Sequence, residues 1–215
     1  MENFYIFGER NSGTNFVTKL IKQNLGLNPI FDQKHKLVLK EDINPNYLTI
    51  CMVRNLNDWG ISMYKHPYHI WNRHTWIRSE HISVYDFLNQ KIKNNPDDPS
   101  PYDINLSNKY SLVEARYLKY QSYKSLENRI LVNLAFLQSS DENKKIFIEA
   151  ISSKYNLTKN DFDPIKIYQG GHGPKHRKTG NKYVHDIHHT LDMSLLTHYN
   201  KEIEEEINNL TFEIK

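Results

Sequence analysis

The chain has few of the features that mark secreted, membrane-spanning or nucleic-acid-binding proteins. Cys51 is the single cysteine among 215 residues, so no intramolecular disulfide can form and we expect a reducing compartment, the cytoplasm. The longest apolar run, ILVNLAFL at 130–137, is far shorter than the roughly 20 residues that a membrane-spanning helix needs. The formal net charge is only +3, with 28 basic and 25 acidic residues spread along the chain, which argues against nucleic acid as a partner.

The first predicted strand begins within a few residues of Met1, so we expect no signal peptide and no membrane association. Hydrophobic residues make up 38% of the chain and charged residues 25%, which is typical of a globular protein. The length suits one domain with a sizeable core, and we expect a single domain over residues 1–215.

Short apolar runs alternate with segments of helical periodicity. The apolar runs predict strands at Asn3–Phe7, 47–54 and 129–136, and the second is apolar on both sides of its alternation, as in a buried parallel strand. Helices are predicted after each strand, with Gly26 ending the first and with capping boxes at Ser111–Glu114 and Ser139–Glu142. The predicted helices are 16–25, 58–65, 83–92, 112–128, 140–155 and 192–209. This order favours an α/β fold, a three-layer sandwich with a mainly parallel central sheet.

The first candidate site is the segment GERNSGTN at 8–15, between the first strand and the first helix. It nearly matches the phosphate-binding pattern G-x-x-x-x-G-K-[ST], but Thr14 occupies the lysine position. Asn15 occupies the position of the hydroxyl residue that binds Mg²⁺. These two replacements argue against Mg-ATP or Mg-GTP chemistry.

The same loop is rich in groups that bind anions. Gly8 and Gly13 permit a tight turn, and the loop N–H groups and the next helix start would face an anion. Ser12, Thr14 and Asn15 add side-chain donors and Arg10 adds a positive charge. The alternative is an ordinary glycine-containing turn without a ligand.

The second candidate site is VRNLNDWGIS at 53–62, at the end of the second strand. Arg54 lies at the carboxyl end of the strand, and Ser62 lies eight residues later on the next helix, which Asn55 or Asn57 would cap. Ligands of α/β sheets bind at such strand ends, so Arg54 and Ser62 would hold a second phosphate near the first. The alternative is that both are ordinary surface residues.

Together the two motifs resemble those of the sulfotransferase family. RNSGTNF at 10–16 is similar to the family's 5′-phosphosulfate loop, a lysine followed by S-G-T-T-W, and to loops of a divergent branch with GERNSGTN. RNLNDWGIS at 54–62 is similar to its 3′-phosphate motif, R-N-P-x-D with a serine eight residues after the arginine. A weaker likeness covers 129–157, so about half the chain resembles the family.

The resemblance implies a P-loop-like fold and a donor, 3′-phosphoadenosine 5′-phosphosulfate, with metal-independent transfer of a sulfuryl group to a hydroxyl or amine. The implied 5′-phosphosulfate site comprises Arg10, Asn11, Ser12, Gly13, Thr14 and Asn15. The implied 3′-phosphate site comprises Arg54 and Ser62. A basic segment, KHRKTGNKY at 175–183, is loosely similar to the family's donor-covering segment and implies Arg177, Lys178 and Gly180 as further donor contacts.

The chain departs from the family at the loop lysine, which contacts the leaving group and is Asn11 here. Arg10 and Lys34 are the candidate cationic substitutes. The proline of the second motif is Leu56. Lys34 and His35 follow the first helix, as a similar pair does in the divergent branch, so His35 is the expected general base, with His66 and His69 as runners-up.

Three other patterns have weaker functional interpretations. His185, Asp186, His188 and His189 have spacing that a metal site can use, but nothing else in the sequence supports one, and no metal is expected. The acidic run KEIEEEI at 201–207 is interpreted as the solvated face of the last helix. An aromatic group either lines an acceptor pocket or packs on the core; it comprises Tyr64, Tyr68, Trp71 and Trp76.

The sequence therefore predicts a sulfotransferase whose acceptor is a glycan, a small alcohol or phenol, or a peptide. A P-loop nucleotide kinase or NTPase is one alternative, although the loop lacks its lysine and its Mg²⁺ ligand. A non-catalytic binder of the sulfate donor is the other, because of Asn11.

Overall fold

The structure, a computed structural model, describes residues 1–30, 34–65, 83–91, 109–165 and 190–215. Five strands form one sheet: β1 (Asn3–Gly8), β2 (Asn28–Pro29), β3 (Leu48–Val53), β4 (Arg129–Asn133) and β5 (Phe212–Ile214). Their order is β2-β1-β3-β4-β5, and only β5 runs antiparallel to its neighbour. The predicted α/β fold with a mainly parallel sheet is confirmed.

The described residues contain seven α-helices: α1 (Thr14–Leu25), α2 (Leu56–Lys65), α3 (Val84–Asn89), α4 (Leu112–Ser125), α5 (Leu134–Ser139), α6 (Asp141–Tyr155) and α7 (Lys201–Asn209). Two short 3₁₀ turns lie at Lys40–Asp42 and Met193–Leu195. No helix in these described ranges is both long and apolar enough to cross a bilayer.

The sheet is covered on both faces because its central strands are apolar on both sides. Ile6 and Ile50 pack with α1, α5 and α6 in one cluster. Phe7 and Cys51 point the other way and pack with α4 and α7. The result is three layers, with the sheet between two sets of helices, as expected for a parallel sheet that buries both faces.

The register of the sheet brings the first two candidate motifs together. Gly8 at the end of β1 pairs with Met52, one residue before the end of β3. Val53 in turn pairs with Asn133 at the end of β4. The segments that follow β1, β3 and β4 therefore leave the sheet at the same edge.

Several predicted elements are confirmed. Helix α1 ends at Gly26, which adopts the left-handed conformation with φ of 66°. The capping box at Ser111 and Glu114 is formed, with Glu114 accepting from Ser111 N at 2.7 Å. The helices predicted at 58–65 and 83–92 are present as α2 and the shorter α3.

Other predicted bounds are wrong. The third strand stops at Asn133, whose side chain accepts from Ala135 N and begins α5, so 134–136 is helical rather than extended. Ser140 caps α6 instead of Ser139, which lies in the last turn of α5 and donates to Phe136 O. The helix after Ser111 ends at Ser125 rather than near 128.

The last predicted helix, 192–209, is divided. Asp192 caps the 3₁₀ turn Met193–Leu195, and the α-helix begins only after Asn200, which accepts from Ile203 N at 3.1 Å. Asx side chains satisfy backbone donors at each start, which favours two separate caps over one continuous helix. The short strands β2 and β5 were not predicted.

Replacing Gly26 by Ala should destabilise the fold by about 1 kcal/mol, because a Cβ is unfavourable in the left-handed conformation. In the described part of the chain, no heavy atom beyond its chain neighbours lies within 4 Å of the added Cβ, so the loss would report backbone conformation rather than a clash. Urea denaturation would measure it. Asn156→Gly is the control, since Asn156 ends α6 at φ of 48° and glycine accepts that conformation. Equal midpoints for Gly26→Ala and the wild type would contradict the prediction.

Candidate functional site

The loop between β1 and α1 is a compact turn that closes on itself. Ser12 N donates to Glu9 O at 3.1 Å, and the Ser12 hydroxyl donates to the same oxygen at 2.6 Å. Asn11 and Gly13 adopt positive φ values of 60° and 88°. An added Cβ at Gly8 would lie 2.5 Å from the Ser12 hydroxyl, and one at Gly13 would lie 2.5 Å from Leu134 Cδ1. Glycine at position 8 is therefore favoured by the packing of the turn, and at position 13 by the left-handed φ and by the contact of the turn with Leu134 of α5.

Helix α1 begins directly at this turn without a side-chain cap. Gly13 is its N-cap residue and provides no side-chain hydrogen bond. Ser12 and Thr14 are buried, with the Ser12 hydroxyl already bonded within the loop. The amide N–H groups of the first turn thus have no side-chain acceptor in the described part of the chain, an arrangement suited to an anion.

Asn11 connects the loop to α2. Its Nδ2 donates to Ser62 O at 3.3 Å and lies 3.3 Å from Met63 Sδ. Trp59 of the same helix donates from Nε1 to Arg10 O at 2.9 Å. The side chain that replaces the expected lysine is thus directed at α2, and asparagine tolerates the left-handed backbone better than lysine does.

Arg54 joins the second candidate motif to the first. Its Nη1 donates to Asn11 O at 3.0 Å, so the residue at the end of β3 contacts the loop after β1. Asn55 caps α2, accepting from Asp58 N at 2.9 Å. Burial lowers the pKa of Arg54, and Asp58 opposes that shift. The expected proximity of the two motifs is thereby observed within one hydrogen-bonded unit.

Asn57, the other candidate cap for α2, has a different partner. Its Oδ1 accepts from Leu191 N at 2.7 Å. Asn57 therefore bonds α2 to the segment that begins at residue 190 rather than capping the helix.

A buried ion pair that was not predicted from the sequence contacts the backbone of Arg54. Arg116 of α4 bonds to Glu204 of α7, and its Nη2 also donates to Arg54 O at 2.5 Å. Glu204 accepts from Leu56 N at 3.2 Å. Only 2% of Glu204 is exposed, so the interpretation of 201–207 as a solvated face is wrong at this position. The sequence feature that could have indicated this ion pair is one glutamate at a core-facing position of the last helix.

His35 lies against the same loop. Its Nδ1 is 2.7 Å from Gly8 O, and Gly8 N donates to Lys34 O at 3.0 Å. Because a carbonyl oxygen only accepts, the proton is on Nδ1 and the basic lone pair is on Nε2. Burial, then the charge of Arg10, lower the pKa of His35 well below its ordinary value. This shift favours the neutral imidazole near pH 7.

Lys34 approaches the first turn of α1. Its Nζ donates to Asn15 Oδ1, so a lysine from the segment after α1 reaches the position where a P-loop has its metal-binding hydroxyl. Burial and the charge of Arg10 both lower the pKa of Lys34. Arg10 and Lys34 thus form a cationic pair beside the loop, next to the neutral imidazole of His35.

Some predicted residues lie outside the described ranges. They are His66, His69, Arg177, Lys178, Gly180 and the cluster His185, Asp186, His188 and His189, together with Tyr68, Trp71 and Trp76. Tyr64 is described, and it packs edge-on against Phe87 at 5.6 Å in the core formed by α2, α3 and α4. Its aromatic ring therefore belongs to the core.

Comparisons with protein-family models, with curated proteins and with solved structures found no match to this chain. The interpretation of the site therefore depends on its own geometry and on the residues that form it.

Replacing Asn11 by Lys should destabilise the protein by about 2 kcal/mol, because the left-handed backbone disfavours lysine and the contacts with α2 are lost. Urea denaturation would measure the loss. Asn11→Gly is the matched control, since it loses the same contacts but accepts the backbone, and it should lose less. A lysine variant as stable as the wild type would contradict this account of position 11.

Stability should decrease below pH 6.5 partly because of His35. Its folded-state pKa is lowered from 6.5, so below that pH the unfolded chain binds a proton that the folded chain excludes. The free energy of unfolding then falls with falling pH, by at most about 1.4 kcal/mol per pH unit for this group. Denaturation at pH 5 to 8 should show a steeper decrease for the wild type than for His35→Gln. Parallel curves would exclude a shifted pKa at His35.

Proposed function

We propose that the protein is a sulfotransferase with a P-loop-like fold that uses 3′-phosphoadenosine 5′-phosphosulfate as donor. The observation that carries the proposal is the bond from Arg54 Nη1 to Asn11 O. It joins an uncapped helix start, suited to one phosphate, to an arginine suited to a second. A donor with phosphate groups on the 3′ and 5′ oxygens of one ribose matches two adjacent anion sites.

The residues at the first site fit a 5′-phosphosulfate. The N–H groups at the start of α1 would bind its oxygens, since the Ser12 hydroxyl is bonded within the loop. Arg10 and Lys34 would supply the positive charge that the missing loop lysine supplies in the resembling family. The role of Asn11 would be to join this loop to α2.

The residues at the second site fit a 3′-phosphate. The bond to Asn11 O uses one of the five N–H groups of the Arg54 guanidinium, so others can face a phosphate. Ser62 is half-buried on α2, one turn beyond Trp59, whose indole is bonded to the loop. The Arg116–Glu204 pair would hold the β3–α2 turn in place, because it bonds to both Arg54 O and Leu56 N.

The arrangement supports in-line transfer to an acceptor hydroxyl. When bound, the donor supplies an activated sulfuryl group with the 5′-phosphate as its leaving group. His35 would accept the acceptor's proton at Nε2 as the acceptor oxygen bonds to sulfur and the bond from sulfur to the phosphate oxygen breaks. Lys34 and Arg10 would stabilise the negative charge that develops on that oxygen. Acceptors would be a glycan, a small alcohol or phenol, or a peptide.

Calorimetric titration with 3′-phosphoadenosine 5′-phosphate should show binding that is equal with Mg²⁺ and with EDTA. Arg54→Ala should weaken it by about 2 kcal/mol, roughly 30-fold in Kd, because a charged contact with phosphate is lost. Lys40→Ala is the control for removal of a positive charge. Lys40 is exposed and pairs with Glu127 at 2.9 Å, so its removal should leave Kd unchanged.

Absence of binding would exclude the sulfate donor. Tighter binding of ATP with Mg²⁺ would exclude it too and would favour a nucleotide kinase or NTPase. Binding without turnover across phenol, alcohol and glycan acceptors would favour a non-catalytic binder. An unchanged Kd for Arg54→Ala would remove Arg54 from the site.

A further inference from the structure

Lys119 of α4 is a fully buried lysine next to the candidate site. Its side chain is 0% exposed, and its Nζ lies 3.3 Å from Glu9 Oε1. The same Nζ donates to His35 O. The lysine therefore contacts both the loop after β1 and the segment that carries His35.

These two segments are also bonded to each other. Gly8 N donates to Lys34 O, and His35 Nδ1 donates to Gly8 O. Glu9 is 8% exposed, and its backbone oxygen accepts both bonds from Ser12. Lys119 thus closes a network that begins at the loop turn and ends at the imidazole.

A buried lysine at this position is not explained by stability alone. A buried ion pair loses the hydration of both charges, and apolar residues of similar volume are often equally stable. Glu9 and Lys119 instead place a donor on the His35 carbonyl, which an apolar side chain cannot do. The geometry therefore indicates control of the His35 backbone.

We propose that Lys119 is a positioning residue for His35. Through His35 O and Glu9 it holds the segment of residues 34–35 against Gly8, so that the imidazole keeps its proton on Nδ1 and presents Nε2 as the base. The proposal rests on the proposed function only for the role of His35 Nε2 as the base that accepts the acceptor's proton. The tautomer of His35 is a property of the protein without ligand.

Among the described residues, the charged groups that act with burial to lower the pKa of His35 are Arg10, Lys34 and Lys119. Glu9 faces Lys119 from the loop. Loss of the Lys119 charge would by itself raise the pKa of His35. A change in that pKa therefore cannot separate the effect of charge from the effect of positioning. The tautomer of His35 can separate them, because it depends on the bond from Nδ1 to Gly8 O.

The test is ¹⁵N NMR of the full-length protein labelled at histidine, without ligand, above the pH at which His35 protonates. The His35 signal is identified by its loss in His35→Gln. The wild type should show the Nδ1–H tautomer. Lys119→Met should shift His35 to mainly the Nε2–H tautomer, which free imidazole side chains prefer in water, and Lys119→Arg should restore Nδ1–H.

Lys119→Met leaves Glu9 buried without its cation and can fail to fold. Glu9→Gln/Lys119→Met removes both charges, and it should fold and show the same shift. Arg129→Met is the control for loss of a buried cation. Arg129 is 3% exposed and pairs with Glu213 at the start of β4, the opposite end of the sheet from the loop.

Retention of Nδ1–H in the double variant would overturn the proposal. A tautomer shift in Arg129→Met would also overturn it, because general loosening would then be sufficient. Neither result involves the donor. Failure of the nucleotide titration would therefore reject the proposed function without affecting Lys119, and the reverse also holds.

Discussion

The parallel pairing of β1 with β3 is the constraint on which the candidate site depends. It aligns Gly8 with Met52, so the loop after β1 and the turn after β3 leave the sheet beside each other. The bond from Arg54 Nη1 to Asn11 O spans that short distance. A shift of one residue in register would turn every side chain of β3 to the other face and bury Cys51 and Val53 on the wrong side.

The charges around the site comprise two buried ion pairs and a half-buried cationic pair, Arg10 and Lys34. Glu9 with Lys119, and Arg116 with Glu204, each contact backbone atoms of the segments that carry His35 and Arg54. Arg10 and Lys34 lie above them beside the uncapped start of α1. Within each pair the two charges offset each other, so in the proposed site the charge that attracts an anion would come from Arg10, Lys34 and Arg54. In the proposed site, positioning and binding would then belong to different residues.

Much of the fold was predictable because its signals are local. The apolar runs identify β1 and β3, Gly26 ends α1, and Ser111 with Glu114 begins α4. Bounds failed where two caps compete within a few residues. Asn133 caps α5 inside the apolar run 129–136, and Ser140 takes the cap that Ser139 was expected to provide.

The candidate site was predictable in its two motifs but not in its supporting residues. Arg54 and the loop at 8–15 follow strands directly, so their placement follows from strand order. Lys119, Arg116 and Glu204 lie on helices 60 to 200 residues away in a pattern that is ordinary for a helix surface. Their role appears only when α4 and α7 pack on the sheet face opposite α1.

The sequence by itself determined the alternation of strands and helices, the glycines of the loop and the order of the two motifs, because each is set by residues a few positions apart. The tertiary structure decided that Asn11 faces α2, that Lys34 reaches Asn15, and that His35 bonds to Gly8 O. These contacts join segments separated by 19 to 51 positions. Only the parallel register and the packing of α2 and α4 bring them within hydrogen-bonding distance.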